Sequence, residues 1–179
     1  MTELVVLVDD HNNPIGTADK STVHSQKTPL HRGISVFLFN GHKQLLIQQR
    51  SRKKKTWPLV WSNSCCGHPG PNETNMDTAA RRLEYELGVS KSSLSVILPD
   101  YQYQHVKNGI SENEICCVLT AVTDQEPIIN TDEVETVKWI PWKNWLNEIK
   151  NNPKKYSEWS IEETGLLIKN PEFMKFIQL

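Results

Sequence analysis

The sequence predicts a single α/β domain, an α+β mixed-sheet sandwich that spans residues 1–179. Three observations predict it. Apolar strand-like runs dominate the chain, one amphipathic helix lies among them, and helical segments close the chain. A chain of 179 residues is long enough for one sizeable core. Sheets and helices that each carry one apolar face bury those faces by packing in layers, which gives the sandwich.

Strands are predicted where apolar residues run or alternate between turn residues. They cover residues 3–8, 33–40, 44–50, 99–106, 112–122 and 135–140. Gly41 and His42 form a turn between residues 40 and 44, so we expect the two strands around it to pair as a hairpin. A cluster of turn residues at 9–16 follows the first strand. Because side chains alternate along a strand, Glu112 and Glu114 share one face.

The helix over residues 75–87 is predicted from its periodicity and its end. Ala79, Ala80, Leu83 and Leu87 recur at three- and four-residue steps and form the expected buried stripe. Gly88 is the expected C-terminal stop, because glycine adopts the left-handed conformation that ends many helices. Shorter helical segments are predicted at 19–23, 142–150, 160–169 and 172–177.

Charge and hydropathy exclude several classes of partner. The formal net charge is -1, so no overall field favours nucleic acid or a membrane surface. The chain contains no run of 18 apolar residues, and its first residues lack the basic region of a signal peptide. We therefore expect a cytoplasmic protein that binds neither nucleic acid nor membrane.

The cysteines form two adjacent pairs, Cys65–Cys66 and Cys116–Cys117. Neighbours in sequence rarely bridge each other, because a disulfide needs a particular separation and dihedral angle. Free thiols are therefore expected, as in a reducing compartment. Cys66 precedes Gly67 and His68. Beside a metal ion and several cations its pKa should be lowered, and the thiol could act as acid, base or nucleophile.

Histidines and carboxylates supply candidate metal ligands. The candidates are His24, His31, His68, Glu112 and Glu114. Mixed nitrogen and oxygen ligation suits Mn²⁺, Mg²⁺ or Zn²⁺ better than a structural thiolate site. In the alternative interpretation each histidine is a surface or hydrogen-bonded residue, and spacing alone does not bring these groups together.

Positive side chains indicate a phosphate site. The candidates are Lys20, Arg50, Lys54 and Arg82. Such cations could clamp phosphate oxygens by charge-assisted hydrogen bonds, while Glu86, one turn after Arg82, would hold a divalent ion that bridges them. In the alternative, Arg82 and Glu86 form an ordinary i,i+4 ion pair, and the basic run at 51–56 is a solvated loop.

The stretch from Gly67 to Val89 resembles the Nudix box, G-x5-E-x7-R-E-U-x-E-E-x-G-U, where U is apolar. Gly67, Glu73, Arg81 and Glu86 occupy matching positions. Arg82 and Tyr85 stand where the box has glutamates. A Nudix hydrolase uses such carboxylates to hold metal ions, so these departures count against diphosphate hydrolysis.

Further motifs resemble one branch of that superfamily, the type 1 isopentenyl-diphosphate isomerases. They are W-P-L-V-W at 57–61, N-S-C-C-G-H-P at 63–69, R-R-L-E-Y-E-L-G at 81–88, Y-Q-Y at 101–103 and E-N-E at 112–114. The resemblance covers nearly the whole chain. It implies a Nudix fold with an N-terminal extension over about residues 1–30, the box loop and helix at 67–89, and C-terminal helices. It also implies a monomer whose partner is a small isoprenoid diphosphate.

The resemblance assigns roles to the candidates. It implies that Cys66 and Glu114 exchange protons with different carbons of an alkene, that Tyr103 helps Glu114, and that the Trp159 indole stabilises a carbocation. One metal ion, Mn²⁺, Zn²⁺ or Mg²⁺, would lie among the histidines and glutamates already named. A Mg²⁺ ion would join the diphosphate to Glu86 and to the backbone carbonyl of Cys66, and the four cations would clamp the diphosphate. Cys65 is expected to be buried and passive.

Two other functions compete with the isomerase. A Nudix hydrolase of a nucleoside or other diphosphate would need the carboxylates that Arg82 and Tyr85 replace. A non-catalytic metal- or phosphate-binding module would not need a thiol and a carboxylate beside one site, and therefore explains Cys66 and Glu114 poorly.

Overall fold

The computed structural model describes residues 3–178, so Met1, Thr2 and Leu179 of the predicted domain lie outside it. The strands are β1 (Leu4–Val8), β2 (Pro14–Asp19), β3 (His31–Phe39), β4 (Gln44–Arg50), β5 (Trp61–Ser62), β6 (Cys65–Gly67), β7 (Ser93–Lys107), β8 (Ile110–Val122) and β9 (Val134–Pro141). The helices are α1 (Lys20–Val23), α2 (Asn75–Leu87), α3 (Trp142–Asn151), α4 (Glu158–Leu167) and α5 (Pro171–Ile177), with a 3₁₀ turn at Pro153–Lys155. The predicted mixed α/β class is confirmed.

Strand β3 is the centre of the sheet. It pairs in parallel with β8 from His31↔Glu114 to Phe39↔Val122, and antiparallel with β6 through Ile34, Ser35 and Val36. Strand β7 pairs antiparallel with β8. Loops and strands that are distant in sequence are therefore brought side by side at the start of β3.

The expected hairpin between β3 and β4 is almost absent. In the described residues the two strands pair only at Phe39↔Leu45, and β4 instead forms its ladder with β9. The reason is that β6 pairs with the part of β3 that a longer hairpin would need. The turn cluster at 9–16, from which a hairpin or a bend was expected, does connect the antiparallel pair β1 and β2, although its last residues already belong to β2.

The alternating side chains of β3 separate two apolar cores. On one face Phe37 and Phe39 pack with residues of α3, α4 and α5. On the other face Ile34, Val36 and Leu38 pack with α2. Helices thus cover both faces of the sheet, as expected for a sandwich.

Helix α2 has the predicted bounds, but the residues that form its buried face differ in part from the prediction. Ala80 is exposed, whereas Arg82 and Glu86 are buried beside Ala79 and Leu83. Because an α-helix turns once every 3.6 residues, only one of the two sequence neighbours of Ala79 can lie on its buried face. Here the buried face includes the polar residues, because it is directed towards the site. Gly88 ends the helix in the left-handed region at φ 64°.

None of the helices within residues 3–178 combines the length and apolar composition that are needed to cross a membrane.

The C-terminal glycine of α2 gives a stability prediction. A Cβ at residue 88 would be strained at φ 64° and would lie 3.0 Å from Ile128 Cβ. We expect Gly88→Ala to lower the free energy of unfolding in urea by about 1–2 kcal/mol. Gly165→Ala is the matched control, because this α4 glycine has open space around it and alanine should add about 0.5–1 kcal/mol. Equal effects of the two substitutions would contradict the prediction.

Candidate active site

A cavity of about 610 Å³ lies where strands β6 to β8, the end of β4 with the loop after it, and helices α1, α2 and α4 come together. Its volume is in the range of pockets that take small molecules. Three kinds of side chain surround it: a histidine and glutamate cluster, a thiol with aromatic rings, and a set of cations.

The histidine and glutamate candidates are brought together. One ligand atom from each lies within 4.8 Å of the others, and the set is His24, His31, His68, Glu112 and Glu114. The parallel register places Glu114 beside His31. Glu112, two residues earlier in β8, lies on the same face of the strand as Glu114. His24 comes directly after α1 and His68 directly after β6, so each approaches the cluster from an element end.

The tautomer of His31 tests whether a metal ion fits. His31 Nδ1 lies 2.9 Å from Pro29 O, and since a carbonyl only accepts, Nδ1 carries the proton. The buried Nε2 then offers a lone pair and has no hydrogen-bond partner among residues 3–178. His24 Nε2 lies 3.0 Å from Glu112 Oε2, and His68 Nε2 lies 3.0 Å from Glu114 Oε1. A divalent cation with nitrogen and oxygen ligands fits this arrangement.

The two carboxylates of the cluster differ in protonation. Burial raises the pKa of Glu114 to about 7, with the neighbouring Glu112 adding to the rise. Burial also disfavours the charge of Glu112, but the hydrogen bond and charge of His24 outweigh it and bring that pKa to about 2. Burial and the nearby His31 lower the pKa of His68, which keeps its ring neutral. Without a metal ion, Glu114 therefore gains and loses its proton near neutral pH, where Glu112 is ionised.

The pKa of Cys66 was expected to be lowered beside a metal ion and several cations, and without a metal ion it is raised instead. Burial raises the pKa of this thiol to about 12, Glu163 adds to the rise, and Arg50 offsets only part of it. Cys66 Sγ lies 3.5 Å from Asn63 Oδ1 and 3.8 Å from Ser35 Oγ. In this protein the group is thus a protonated thiol on the cavity wall. All cysteines, each within the described residues, are free, and Cys65 is fully buried as expected.

Aromatic rings form the wall beside the thiol. Tyr103 lies directly opposite Glu114 in the β7–β8 ladder, and its ring is nearly parallel to that of Trp159 at a centroid distance of 6.0 Å. Trp159 Nε1 donates to Asn63 Oδ1 over 3.3 Å. The rings of Trp57 and Trp159 form a T-shaped pair with their centroids 5.4 Å apart. Asn63 therefore links the indole to the thiol through one amide oxygen, a role that its place in the 63–69 motif did not reveal.

All the predicted cations line the cavity: Lys20, Arg50, Lys54 and Arg82. Arg50 is fixed by the backbone carbonyls of Thr56 and Trp57, to which its Nε and Nη2 donate. The basic run therefore divides, because Lys54 reaches the cavity while Arg52 pairs with Glu135 at the surface.

Acidic side chains already neutralise part of this cation set. Glu133 on the cavity wall pairs with Lys54 and lies 3.3 Å from Arg82 Nη2. Burial disfavours its charge, but Lys54 and Arg82 lower its pKa to about 2. The sequence offered no periodicity or motif that singled out Glu133, because it lies in the loop before β9.

Glu86 lies behind the cavity wall. Its Oε1 accepts from Arg82 Nε at 3.1 Å and Nη2 at 2.5 Å, and its Oε2 accepts from Gln48 Nε2 at 3.2 Å. The ion pair that was the alternative interpretation is thus present, and it is buried. A metal ion at Glu86 would have to replace one of these contacts.

Comparisons with known proteins agree on one family. The NUDIX domain family model matches residues 29–160. A relative from Saccharopolyspora erythraea is 43% identical over 168 residues, which cover 93% of this chain and 87% of the relative. One from Corynebacterium glutamicum is 44% identical over 169 residues, covering 90% and 88%. Both are named isopentenyl-diphosphate Delta-isomerase.

Solved structures agree on the fold. A crystal structure of a Deinococcus radiodurans protein superposes with a TM-score of 0.66 at 21% identity, covering 84% of this chain and 90% of that one. A MutT protein from Methanosarcina mazei gives 0.60 at 14% identity, covering 84% and 94%. These likenesses confirm the predicted Nudix fold.

Gly33 provides a test of the metal cluster. A Cβ at this position would lie 1.9 Å from Glu114 Oε2, so Gly33→Ala must displace the carboxylate, which is the movable end of its side chain. We expect the variant to fold but to bind Mn²⁺ about tenfold or more weakly in calorimetric titration. Gly16→Ala is the control, because a Cβ there has nothing within 4 Å. Unchanged Mn²⁺ affinity of the Gly33 variant would show that Glu114 is not a ligand.

Glu133 gives a prediction for anion binding. Glu133→Gln removes a negative charge from Lys54 and Arg82, so metal-free pyrophosphate should bind about fivefold more tightly, the equivalent of ~1 kcal/mol. The affinity is measured by calorimetry in EDTA. Glu135→Gln is the matched control, because that carboxylate pairs with Arg52 away from the cavity. Weaker binding by the Glu133 variant would argue against the cations as the anion site.

Proposed function

The chain belongs to the isopentenyl-diphosphate Delta-isomerase family of NUDIX domains, and from this premise we propose that it interconverts isopentenyl and dimethylallyl diphosphate. The reaction adds a proton to one carbon of the alkene and removes a proton from another. We place it in isoprenoid biosynthesis. The free thiols favour a reducing compartment such as the cytoplasm.

One observation carries the proposal. The protonated thiol of Cys66 and the carboxylate of Glu114 line the same cavity, together with the cations that suit a diphosphate. A proton transfer at two different carbons needs two groups that each hold or accept a proton. The raised pKa values of about 12 for Cys66 and about 7 for Glu114 suit such groups, because each can carry a proton at neutral pH.

The aromatic rings of the cavity wall would stabilise the carbocation that exists between the two proton transfers. The face of the Trp159 indole attracts positive charge, and Tyr103 lies nearly parallel to it beside Glu114. A buried ring also keeps water away, which matters because water would trap the cation as an alcohol. Burial and the charge of Glu114 raise the pKa of Tyr103, so its hydroxyl stays protonated and can donate to that carboxylate.

The histidine and glutamate cluster would hold Mn²⁺, Zn²⁺ or Mg²⁺, all of which suit these ligands. When bound, the ion supplies positive charge that fixes the Glu114 carboxylate. His31 and His24 orient the cluster, and Glu112 stays ionised beside them. A Mg²⁺ ion that arrives with the diphosphate would use Glu86 and the backbone carbonyl of Cys66, in exchange for a contact of Glu86 with Gln48 or Arg82.

The cations hold the diphosphate at the other end of the substrate. Lys20, Lys54 and Arg82 meet at one side of the cavity, where Glu3 and Glu133 now balance them. Arg50 extends from this group towards Trp159, with its guanidinium carbon 5.7 Å from the ring centroid. Hydrolysis is less well supported, because Arg82 and the exposed Tyr85 stand where a hydrolase has carboxylates.

The test uses isopentenyl diphosphate with Mg²⁺ and Mn²⁺ in heavy water. We expect dimethylallyl diphosphate that carries deuterium. Cys66→Ala and Glu114→Gln should each lower the rate about 10²–10⁴-fold, since each removes a proton carrier. Cys65→Ala is the matched thiol control and should stay close to wild type, because Cys65 packs into the opposite core. Phosphate release from nucleotides, without label or double-bond migration, would overturn the proposal.

A further inference from the structure

Glu163 is a buried carboxylic acid for which the proposed reaction has no use. It lies on α4, one turn after Trp159, and its side chain is fully inaccessible. It has no ion-pair partner within residues 3–178. Burial raises the pKa of Glu163 well above its usual range, which favours the neutral acid, and a buried polar group of this kind must still be hydrogen-bonded. Its hydrogen bonds therefore need an explanation.

Those hydrogen bonds lead to the thiol of Cys66. Glu163 Oε2 accepts from Ser35 Oγ at 2.7 Å, and Oε1 lies 3.8 Å from Cys116 Sγ. Ser35 pairs with Cys66 across the β3–β6 ladder, and its Oγ lies 3.8 Å from Cys66 Sγ. The carboxyl group is thus two contacts away from the thiol.

The hydroxyl of Ser35 has only one proton, so its contacts are not interchangeable. When that proton goes to Glu163, Ser35 Oγ accepts from Asn63 Nδ2 at 2.9 Å and keeps a lone pair towards Cys66. The other neighbour of the thiol, Asn63 Oδ1, also accepts. Both polar neighbours of Cys66 Sγ in this network are therefore acceptors, and the S–H group is the donor.

We propose that Glu163 is a positioning residue, which acts through Ser35 to hold the Cys66 S–H group in one orientation at the cavity wall. The inference rests on the proposed function for the role of the thiol. Proton transfer depends on geometry, and a displacement of about 1 Å can cost about a hundredfold in rate. Glu163 itself touches neither the cavity nor a metal ligand candidate.

A set of variants separates positioning from general stability. Ser35→Ala and Glu163→Leu break the chain of contacts, and each should lower kcat about 10- to 100-fold with KM changed less than about twofold. Glu163→Gln keeps an acceptor for Ser35 and should retain kcat within about threefold. Ser64→Ala is the matched control, because the hydroxyl of this buried serine bonds Leu38 N and Leu46 O and does not belong to the chain from Glu163 to Cys66, so kcat should stay unchanged.

Two further readouts, one from a double variant and one from spectroscopy, test the chain of contacts itself. The double variant of Ser35→Ala with Glu163→Leu should lose no more activity than either single variant, since both break one chain. The infrared S–H stretching band, assigned to Cys66 by its loss in Cys66→Ala, should shift in Ser35→Ala, which removes one of the two acceptors of the thiol, and in Glu163→Leu, where the Ser35 hydroxyl is free to turn its own proton towards the sulfur. It should stay in place in Glu163→Gln and Ser64→Ala.

The outcomes are distinct. Wild-type kcat with an unmoved S–H band in Ser35→Ala would overturn the inference, and so would an equal loss in Ser64→Ala or additive losses in the double variant. If Glu163→Leu does not fold, Ser35→Ala and Glu163→Gln decide the question. A wild-type protein without isomerase activity, in which Ser35→Ala still moves the band, would instead refute the proposed function and leave the contact to the thiol established.

Discussion

The parallel pairing of β3 with β8 is the constraint on which the site depends. Its register sets His31 beside Glu114, and the antiparallel β7 sets Tyr103 on the far side of the same glutamate. On the other edge of β3, β6 places Cys66 beside Ser35. A metal-ligand candidate, a proton carrier and its phenol neighbour therefore lie in one row across three strands. A shift of β8 by one residue relative to β3 would turn Glu114 to the face opposite His31.

The second property of the site is that its charges are balanced before any ligand arrives. Glu133 and Glu86 surround Arg82, and Glu3 meets Lys20. Buried like charges repel strongly, and burial together with Arg82 lowers the pKa of Lys20. The internal carboxylates relieve that repulsion within the protein. An incoming diphosphate exchanges with them, so its net gain is smaller than the number of cations implies.

Sequence patterns predicted what depends on local periodicity. The bounds of β4 and α2 agree with the structure, because apolar spacing and Gly88 define them. The partner of β4 was missed because strand pairing is decided by distant competitors, here β6 and β9. Most of the candidates line one cavity, although Glu86 lies behind its wall, and without a metal ion the pKa of Cys66 is raised rather than lowered. Burial dominates that pKa, and the residues that neighbour Cys66 in sequence do not predict it. Nor do they predict the contact between Glu163 and Ser35, which are distant in sequence.

The changed box position at Arg82 explains how one helix supports a different site from that of a hydrolase. Arg82 is buried, and it satisfies Glu86 four residues later on the same face. A glutamate at this position would place a further carboxylate beside Glu86 and Glu133, and such a buried cluster is tolerable only when metal ions neutralise it. With arginine, the same helix face is stable without those ions and presents positive charge to the cavity. The replacement thus relieves the need for metal ions at this position and places a positive group at the cavity wall in the same step.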